Sequence, residues 1–274
     1  MCRFPRLETL VTESTYGGVH DIIPSRHESE RNLANIVKAT VKRGGKLLIP
    51  VLAVGRAQEI MIVLEEFIDK KMIPRIPIYL EGMISEATAI HTTHPEYLNR
   101  DLREKIFHQG KNPFLSEVFK TVQGGEQERM EIIEGDPAII MATSGMLQGG
   151  PSVHYLKLLA NDPNSALLFV SYQVQGTLGR RIQKGYKNIQ FESRRGQSSL
   201  VKMKMRTHTI SGFSGHSSRS QIVSFIRKVR PRPERVITNH GEASKCMGLA
   251  SLIHKRLKSD TRSLINSETV ILKE

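Results

Sequence analysis

The feature that most constrains the fold is a pattern that recurs along the chain: a short apolar strand, a turn rich in Gly and Ser, and an amphipathic helix. In its first copy, KLLIPVLAVGRAQEIMIVLEEFI, residues 47–52 are the predicted strand and Gly55 lies in the turn. The further predicted strands are residues 138–142, 166–171 and 236–238, with a closing strand at 269–272. Because strands alternate with helices, the pattern predicts an α/β fold with largely parallel sheets and flanking helices.

Polar residues mark where several of these helices begin. Pro151 suits the first position of a helix, because its missing N–H has no partner there. Thr177 is a predicted N-cap, and either Ser217 or Ser218 is expected to cap the helix that follows. The region 100–125 predicts a helix followed by a loop.

The turns after the strands carry candidate phosphate contacts. In a parallel sheet these turns share one edge, where ligands bind, and helix N-termini add partial positive charge there. The candidates are Ser144 and Gly145 in the TSGM turn, Ser214, Arg56 and Arg180. The alternative is that Gly and Ser only make tight turns and that Arg only solvates the surface.

The charge of the chain favours a polyanionic partner. Lys and Arg number 40 against 27 Asp and Glu, which gives a net charge of +13. Nine basic residues and one acid lie between positions 180 and 206: Arg180, Arg181, Lys184, Lys187, Arg194, Arg195, Lys202, Lys204 and Arg206. This local segregation predicts binding to nucleic acid by backbone electrostatics, and a solvated basic surface is the alternative.

Several function classes are disfavoured by what the sequence does not contain. It has no G-x-x-x-x-G-K-[ST] and no G-x-G-x-x-G after a strand, so a nucleoside triphosphatase is not expected. No apolar run is long enough to span a bilayer, and we expect no membrane partner. With no secretory signal and only two cysteines, Cys2 and Cys246, a cytoplasmic location is expected.

Two histidines lie among Ser and Gly where an apolar run stops and a helix begins: His216 in SGFSGHSSRSQI and His240 in VITNHGEASK. The other stretches of this kind are LETLVTESTYGG, LLIPVLAVGRAQEI, IPIYLEGMISEATAIHTTHPEYL, IIMATSGMLQGGPSVHYL and VSYQVQGTLGRRI. In this order the seven resemble the β-CASP branch of the metallo-β-lactamase-fold nucleases, in particular archaeal homologues of the cleavage and polyadenylation specificity factor nuclease.

The resemblance implies a domain arrangement. Residues 1–18 and 207–274 would belong to an incomplete metallo-β-lactamase αββα domain, and residues 19–206 to an inserted β-CASP domain. It implies a zinc-dependent ribonuclease that cleaves RNA phosphodiesters in mRNA 3′-end processing or transcription termination. RNA is the implied partner, and a homodimer is the implied assembly.

The resemblance also implies roles for three residues. Glu13 matches the family's acidic motif in ESTYG, and His216 matches the histidine expected to act as general acid. His240 matches a zinc ligand of the family's two-zinc site. The pair His91 and His94 in HTTH is instead predicted to be structural or on the surface.

The departure from the family is as informative as the match. The family builds its two-zinc site largely from an H-x-H-x-D-H loop upstream of the position of Glu13, and this sequence contains no such loop. The chain therefore resembles the C-terminal part of a larger enzyme, and by itself it is expected neither to hold zinc tightly nor to cleave RNA. The alternatives are a non-catalytic RNA-binding or regulatory module and a phosphoester hydrolase acting on small molecules.

Overall fold

A computed structural model describes residues 6–192 and 198–272. The described strands are β1 (Thr9–Glu13), β2 (Leu47–Pro50), β3 (Ile78–Glu81), β4 (Phe119–Thr121), β5 (Ile139–Ala142), β6 (Ala166–Phe169), β7 (Asn188–Glu192), β8 (Ser198–Lys202), β9 (Arg206–Thr209), β10 (Arg235–Asn239) and β11 (Asp260–Ser263). The described α-helices are α1 (Arg26–Lys42), α2 (Arg56–Asp69), α3 (Ile84–Thr93), α4 (Arg100–Phe107), α5 (Gly125–Glu134), α6 (Pro151–Leu159), α7 (Leu178–Gln183), α8 (Arg219–Lys228) and α9 (Ala243–Leu257).

The chain divides into two compact units. The discontinuous unit comprises Met1–Pro24 and Ser214–Glu274, and the central unit is Ser25–Phe213. Both boundaries fall later than the expected 18/19 and 206/207. Strand β9 pairs with β6 and so belongs to the central unit, while Asp21 is tied to the discontinuous unit by an ion pair of 3.0 Å with Lys245.

The central unit is built on a parallel sheet with strand order β4-β3-β5-β2-β6-β9. Its three central strands β5, β2 and β6 are apolar at every position, as expected for a sheet covered on both faces, whereas β3 ends in Glu81. Alternate residues enter different cores: Leu47 and Ile49 pack with α1 and α2, whereas Leu48 packs with α6 and α7. The antiparallel hairpin β7–β8 adds Ile189 to the second core.

The discontinuous unit holds a three-stranded parallel sheet with order β1-β10-β11. Residues of α8 and α9 pack around Val236 of β10 and bury one face of this sheet. The register places Thr9 beside Arg235 and Glu13 beside Asn239. Glu13 therefore ends its strand directly next to the residue that precedes His240.

The predicted α/β class, with parallel sheets and flanking helices, is confirmed. The side chain of Thr177 accepts from the Arg180 N–H, and that of Ser218 accepts from Gln221, as N-caps do. No described helix is long and apolar enough to cross a membrane.

Two local predictions were wrong. Residues 269–272 form no strand, and β11 closes the sheet earlier in the chain. The region 100–125 contains strand β4 as well as helix α4. Of the basic residues between 180 and 206, Arg194 and Arg195 lie outside the described residues, as does Cys2.

Candidate active site

The candidate active site forms at the carboxyl ends of β1 and β10. In a parallel pair the two strands end at the same edge, so Glu13 and His240 come together although 227 positions separate them in the sequence. Gly241 permits the approach, because a Cβ atom there would lie 2.7 Å from the carbonyl oxygen of Ser14. The turn at His240 has a left-handed backbone, with φ of 51°.

The loop before α8 delivers His216 to the same place. Tyr16, just beyond β1, forms a parallel bridge with Ser218, which begins the capping box of α8. The side-chain oxygen of Ser214 accepts from the His216 backbone N–H at 3.2 Å. The loop is therefore held by the Ser214 side chain at His216 and by the bridge to Tyr16 at Ser218.

Glu13 binds this loop with both carboxylate oxygens. Its Oε2 lies 2.7 Å from His216 Nδ1, and its Oε1 accepts from the Ser217 backbone N–H at 2.8 Å. Burial opposes ionisation of Glu13, but hydrogen bonds from Thr15 and Ser217 and the charge of His216 outweigh it and hold the pKa of the carboxyl below its ordinary value. Glu13 is therefore a carboxylate at neutral pH, and it fixes the orientation of the His216 ring.

The two imidazoles lie side by side. Their ring centroids are 5.4 Å apart with an interplanar angle of 33°. One ligand atom from each of Glu13, His216 and His240 can be chosen so that all three lie within 4.8 Å of one another. Imidazole nitrogen and carboxylate oxygen are zinc donors, so this set fits part of a zinc site, although three donors fall short of the usual four.

Thr15 and Lys245 are parts of this site that the sequence analysis did not identify. Thr15 is buried, and its hydroxyl lies 3.3 Å from Nδ1 of both His216 and His240. The ammonium of Lys245 donates to the backbone oxygen of Thr15 at 3.1 Å and to Asp21. The one available signal was position: Thr15 stands two residues after Glu13, and Lys245 lies in the same HGEASK stretch as His240.

Four of the five candidate phosphate contacts lie in the central unit. Arg56, Ser144 and Arg180 follow β2, β5 and β6, whose carboxyl ends share one edge of the sheet. Ser144 lies in a turn, whereas Arg56 begins α2 and Arg180 lies in α7. Arg56 pairs with Glu59, and Ser144 accepts from the Gln148 N–H at 3.0 Å. These contacts account for the turn geometry, and the phosphate role of the five stays a prediction.

Two further hydrogen bonds hold the backbone at this edge of the sheet. The Gly145 carbonyl accepts from the Gln173 side chain at 2.9 Å, and the Arg180 backbone N–H donates to Thr177. Ser214, the fifth candidate, lies in the discontinuous unit beside His216.

The HTTH histidines take no part in a described metal cluster. His91 Nδ1 donates to the carbonyl oxygen of Ala87 at 2.7 Å, within its own helix. His94 follows that helix and lies 3.3 Å from Glu96. Among the residues that the structure describes, the group of His, Cys, Asp and Glu close enough to share an ion is Glu13, His216 and His240.

Comparison with known proteins finds matches to both units. A family model for the Beta-Casp domain matches residues 57–182, and one for the Zn-dependent metallo-hydrolase RNA specificity domain matches residues 200–264. The first lies inside the central unit. The second begins at β8 and contains both His216 and His240.

Three relatives, each named transcription termination factor FttA, match nearly the whole chain. The relative from Lokiarchaeum sp. is 59% identical over 271 residues and that from Thermococcus kodakarensis 55% over 272, each covering 99% of this chain and 42% of the relative. The relative from Methanocaldococcus jannaschii is 52% identical over 274 residues, which is 100% of this chain and 43% of the relative. The chain thus spans less than half the length of these relatives. With two matched domains and relatives of this identity along nearly every residue, the chain belongs to the β-CASP family of metallo-β-lactamase-fold ribonucleases.

Proposed function

We propose that the chain supplies the RNA-binding surface and part of the active site of a zinc-dependent ribonuclease that acts in transcription termination or mRNA 3′-end processing. The observation that carries the proposal is the convergence of Glu13, His216 and His240 at one sheet edge. Glu13 Oε2 lies 2.7 Å from His216, and the two imidazoles are neighbours. Relatives named as transcription termination factors support the biological role.

His216 is the proposed general acid. Its Nδ1 is engaged by the Glu13 carboxylate, so Nε2 is the ring nitrogen that remains for exchange with a substrate. A protonated imidazole held in this way can donate a proton to the departing sugar oxygen. The side chain of His216 is 38% exposed, so a phosphodiester can reach the ring from solvent.

His240 is the proposed zinc ligand, through its Nε2. Zinc bound there would supply an activated water and would stabilise charge on the scissile phosphate. Two imidazoles and one carboxylate do not complete a two-zinc site, so further ligands would have to come from residues outside this set.

RNA is the proposed partner, bound chiefly through its phosphates. The net charge of +13 and the basic stretch at 180–206 support an electrostatic surface, and aromatics at 5% of residues leave little for stacking. We expect the dissociation constant for single-stranded RNA to rise steeply between low and physiological salt. A dissociation constant independent of salt would contradict this surface. The resemblance also implies a homodimer, which sedimentation of the chain would test, and the cytoplasmic location expected from the sequence stays a prediction.

The catalytic proposal is tested in a hybrid protein. The N-terminal portion of the Thermococcus kodakarensis relative that precedes the matched region is joined to this chain, and zinc-dependent cleavage of labelled RNA is measured. We expect cleavage that His216→Ala and His240→Ala each reduce by at least about a hundredfold. The matched control is His108→Ala, an exposed histidine in the central unit, which should leave the rate unchanged. Undiminished cleavage by both site variants would contradict the roles of His216 as general acid and His240 as zinc ligand.

A second candidate is a non-catalytic RNA-binding or regulatory module. The observation that favours it is the state of the donor set: both oxygens of Glu13 are already engaged by His216 and Ser217. This reading predicts salt-sensitive RNA binding without metal and no cleavage in any metal, even in the hybrid. Cleavage by the hybrid decides against it.

A further inference from the structure

We propose that Thr15 is a positioning residue that determines which ring nitrogen of His240 carries the proton, and so presents Nε2 as the ligand atom. The importance of this for chemistry rests on the proposed function, in which His240 binds zinc. The arrangement itself stands on contacts within the discontinuous unit.

The Thr15 hydroxyl has a single proton to donate. Its oxygen lies 3.2 Å from the backbone carbonyl of His240 and 3.3 Å from Nδ1 of the same residue. A carbonyl can only accept, so the hydroxyl proton is donated to it. The Thr15 oxygen is then left to accept, and the donor is the Nδ1–H of His240.

The other neighbour of Thr15 leads to the same result. The Glu13 carboxylate, whose pKa the Thr15 hydroxyl helps to lower, is like the carbonyl a group with no proton to give. Whichever of these acceptors takes the hydroxyl proton, the His240 ring must donate from Nδ1. Its Nε2 then carries the lone pair.

His216 is governed by a different partner. Its Nδ1 lies 2.7 Å from the Glu13 carboxylate but 3.3 Å from the Thr15 hydroxyl. The shorter, charge-assisted bond dominates, so Glu13 orients His216. Thr15 therefore positions His240, and Glu13 positions His216. A mutation of either residue should then affect only one of the two rings.

The position of the Thr15 hydroxyl is itself fixed from behind. Thr15 has 5% of its surface exposed, and Lys245 donates to its backbone oxygen at 3.1 Å. Lys245 is in turn paired with Asp21 at 3.0 Å. A hydroxyl held this firmly can impose a tautomer, as the partners of metal-bound imidazoles do.

The test is spectroscopic and needs neither zinc nor RNA. The full chain is labelled with ¹⁵N in histidine, and the ring ¹⁵N chemical shifts are measured by long-range ¹H–¹⁵N correlation. The pH is about 8.5, where an imidazole of ordinary pKa is neutral. Signals are assigned with His216→Gln and His240→Gln. In the unaltered chain we expect His240 to be predominantly in its Nδ1–H form. A predominant Nε2–H form would overturn the proposal without any variant at Thr15.

The variants separate the two rings. Thr15→Val keeps the side-chain shape but removes the hydroxyl, and it should shift the His240 ring nitrogens toward averaged values while those of His216 stay in place. Thr15→Ser should restore the His240 signature. Glu13→Gln should move the His216 signals and leave those of His240.

The outcomes also distinguish this inference from the proposed function. A His240 signature that Thr15→Val leaves unchanged, or that Thr15→Ser does not restore, overturns the positioning role, although His240 could still serve as a ligand. Conversely, a hybrid whose cleavage is insensitive to His240→Ala overturns the ligand role while the tautomer result stands. Amide spectra of β10 residues report whether each variant is folded, and the measurement on the unaltered chain decides the matter if one is not.

Discussion

Two glutamates, each the last residue of a strand and one in each unit, show that similar positions in parallel sheets have different roles. Glu13 ends β1 and holds His216, whereas Glu81 ends β3 and holds Arg129, with Nε–O distances of 2.9 and 3.1 Å. The Glu81 side chain is 8% exposed and that of Glu13 is 26% exposed. A guanidinium cannot give up its proton, so the Glu81 pair is structural, while the Glu13 pair leaves an imidazole able to transfer one.

A carboxylate at a strand end therefore does not by itself identify a functional site. The group that the carboxylate binds, an imidazole or a guanidinium, decides its role. The hydrogen bond that Arg129 donates to Glu81 raises the already high pKa of the Arg129 guanidinium. Burial raises the pKa of the neighbouring Tyr155 hydroxyl far above its ordinary range. Arg129 and Tyr155 therefore keep their protons at neutral pH, which suits a structural role.

The largest expected effect breaks the structural pair. Glu81→Ala leaves the Arg129 guanidinium, which is 18% exposed, without its bidentate partner, and we expect the free energy of unfolding to fall by about 3–5 kcal/mol. Urea denaturation of the full chain measures it. The control is Glu117→Ala, which removes an exposed pair with Arg75 and should cost no more than about 0.5 kcal/mol. Equal losses of unfolding free energy from the two variants would mean that the pair of Glu81 and Arg129 stabilises the fold no more than an exposed pair does.

A smaller effect, with a pH signature, is expected at Glu13. Its folded-state pKa is lowered, so its ionised form contributes stability that is fully present above the ordinary value of 4.5 and is lost as pH falls through the folded value. Glu13→Gln should therefore lower the free energy of unfolding by about 1 kcal/mol near neutral pH, and the difference from the unaltered chain should shrink as pH falls below that ordinary value.

The control for this titration is the exposed Glu8, which precedes β1. Its side chain is 52% exposed, and Glu8→Gln should change stability little at any pH. A Glu13→Gln difference that stays constant down to acid pH would show that the hydrogen bonds of Glu13 do not depend on its charge.

The fold was predictable because its signals are local and strong. The strands β2, β5 and β6 of the central unit are fully apolar, and caps such as Thr177 and Ser218 mark where helices begin. The edge strands were not predictable for the opposite reason. Strand β11 has the polar sequence DTRS, whereas residues 269–272 read TVIL but form no strand. Pairing with a neighbour, which no local pattern encodes, decided both cases.

The candidate site was predictable in part. Glu13, His216 and His240 could be singled out because each lies in a distinctive stretch that resembles a family pattern. Thr15 and Lys245 could not, since a Thr after a strand and a Lys in a helix are ordinary residues. Their importance comes from contacts between residues 230 positions apart, the Lys245 ammonium on the Thr15 carbonyl.

The smallest expected effect compares one serine from each unit. Ser144 accepts from the Gln148 N–H and Ser214 accepts from the His216 N–H, so Ser144→Ala and Ser214→Ala should each cost about 0.5 kcal/mol of stability, the low end for one hydrogen bond. Only Ser214→Ala should also slow cleavage by the hybrid enzyme, because only Ser214 holds the backbone of the proposed general acid.

Ser144→Ala should also weaken RNA binding, because the turn at Ser144 is a predicted phosphate contact. The Ser144 oxygen accepts from Gln148, which leaves its hydroxyl proton free to donate to an anion, and losing one such bond weakens binding about twofold to tenfold. Filter binding at a fixed, low salt concentration measures the change. If Ser144→Ala leaves affinity unchanged, this turn only shapes the sheet edge, and the two serines then differ just as the two glutamates do: one supports the fold, and the other holds a histidine in place for chemistry.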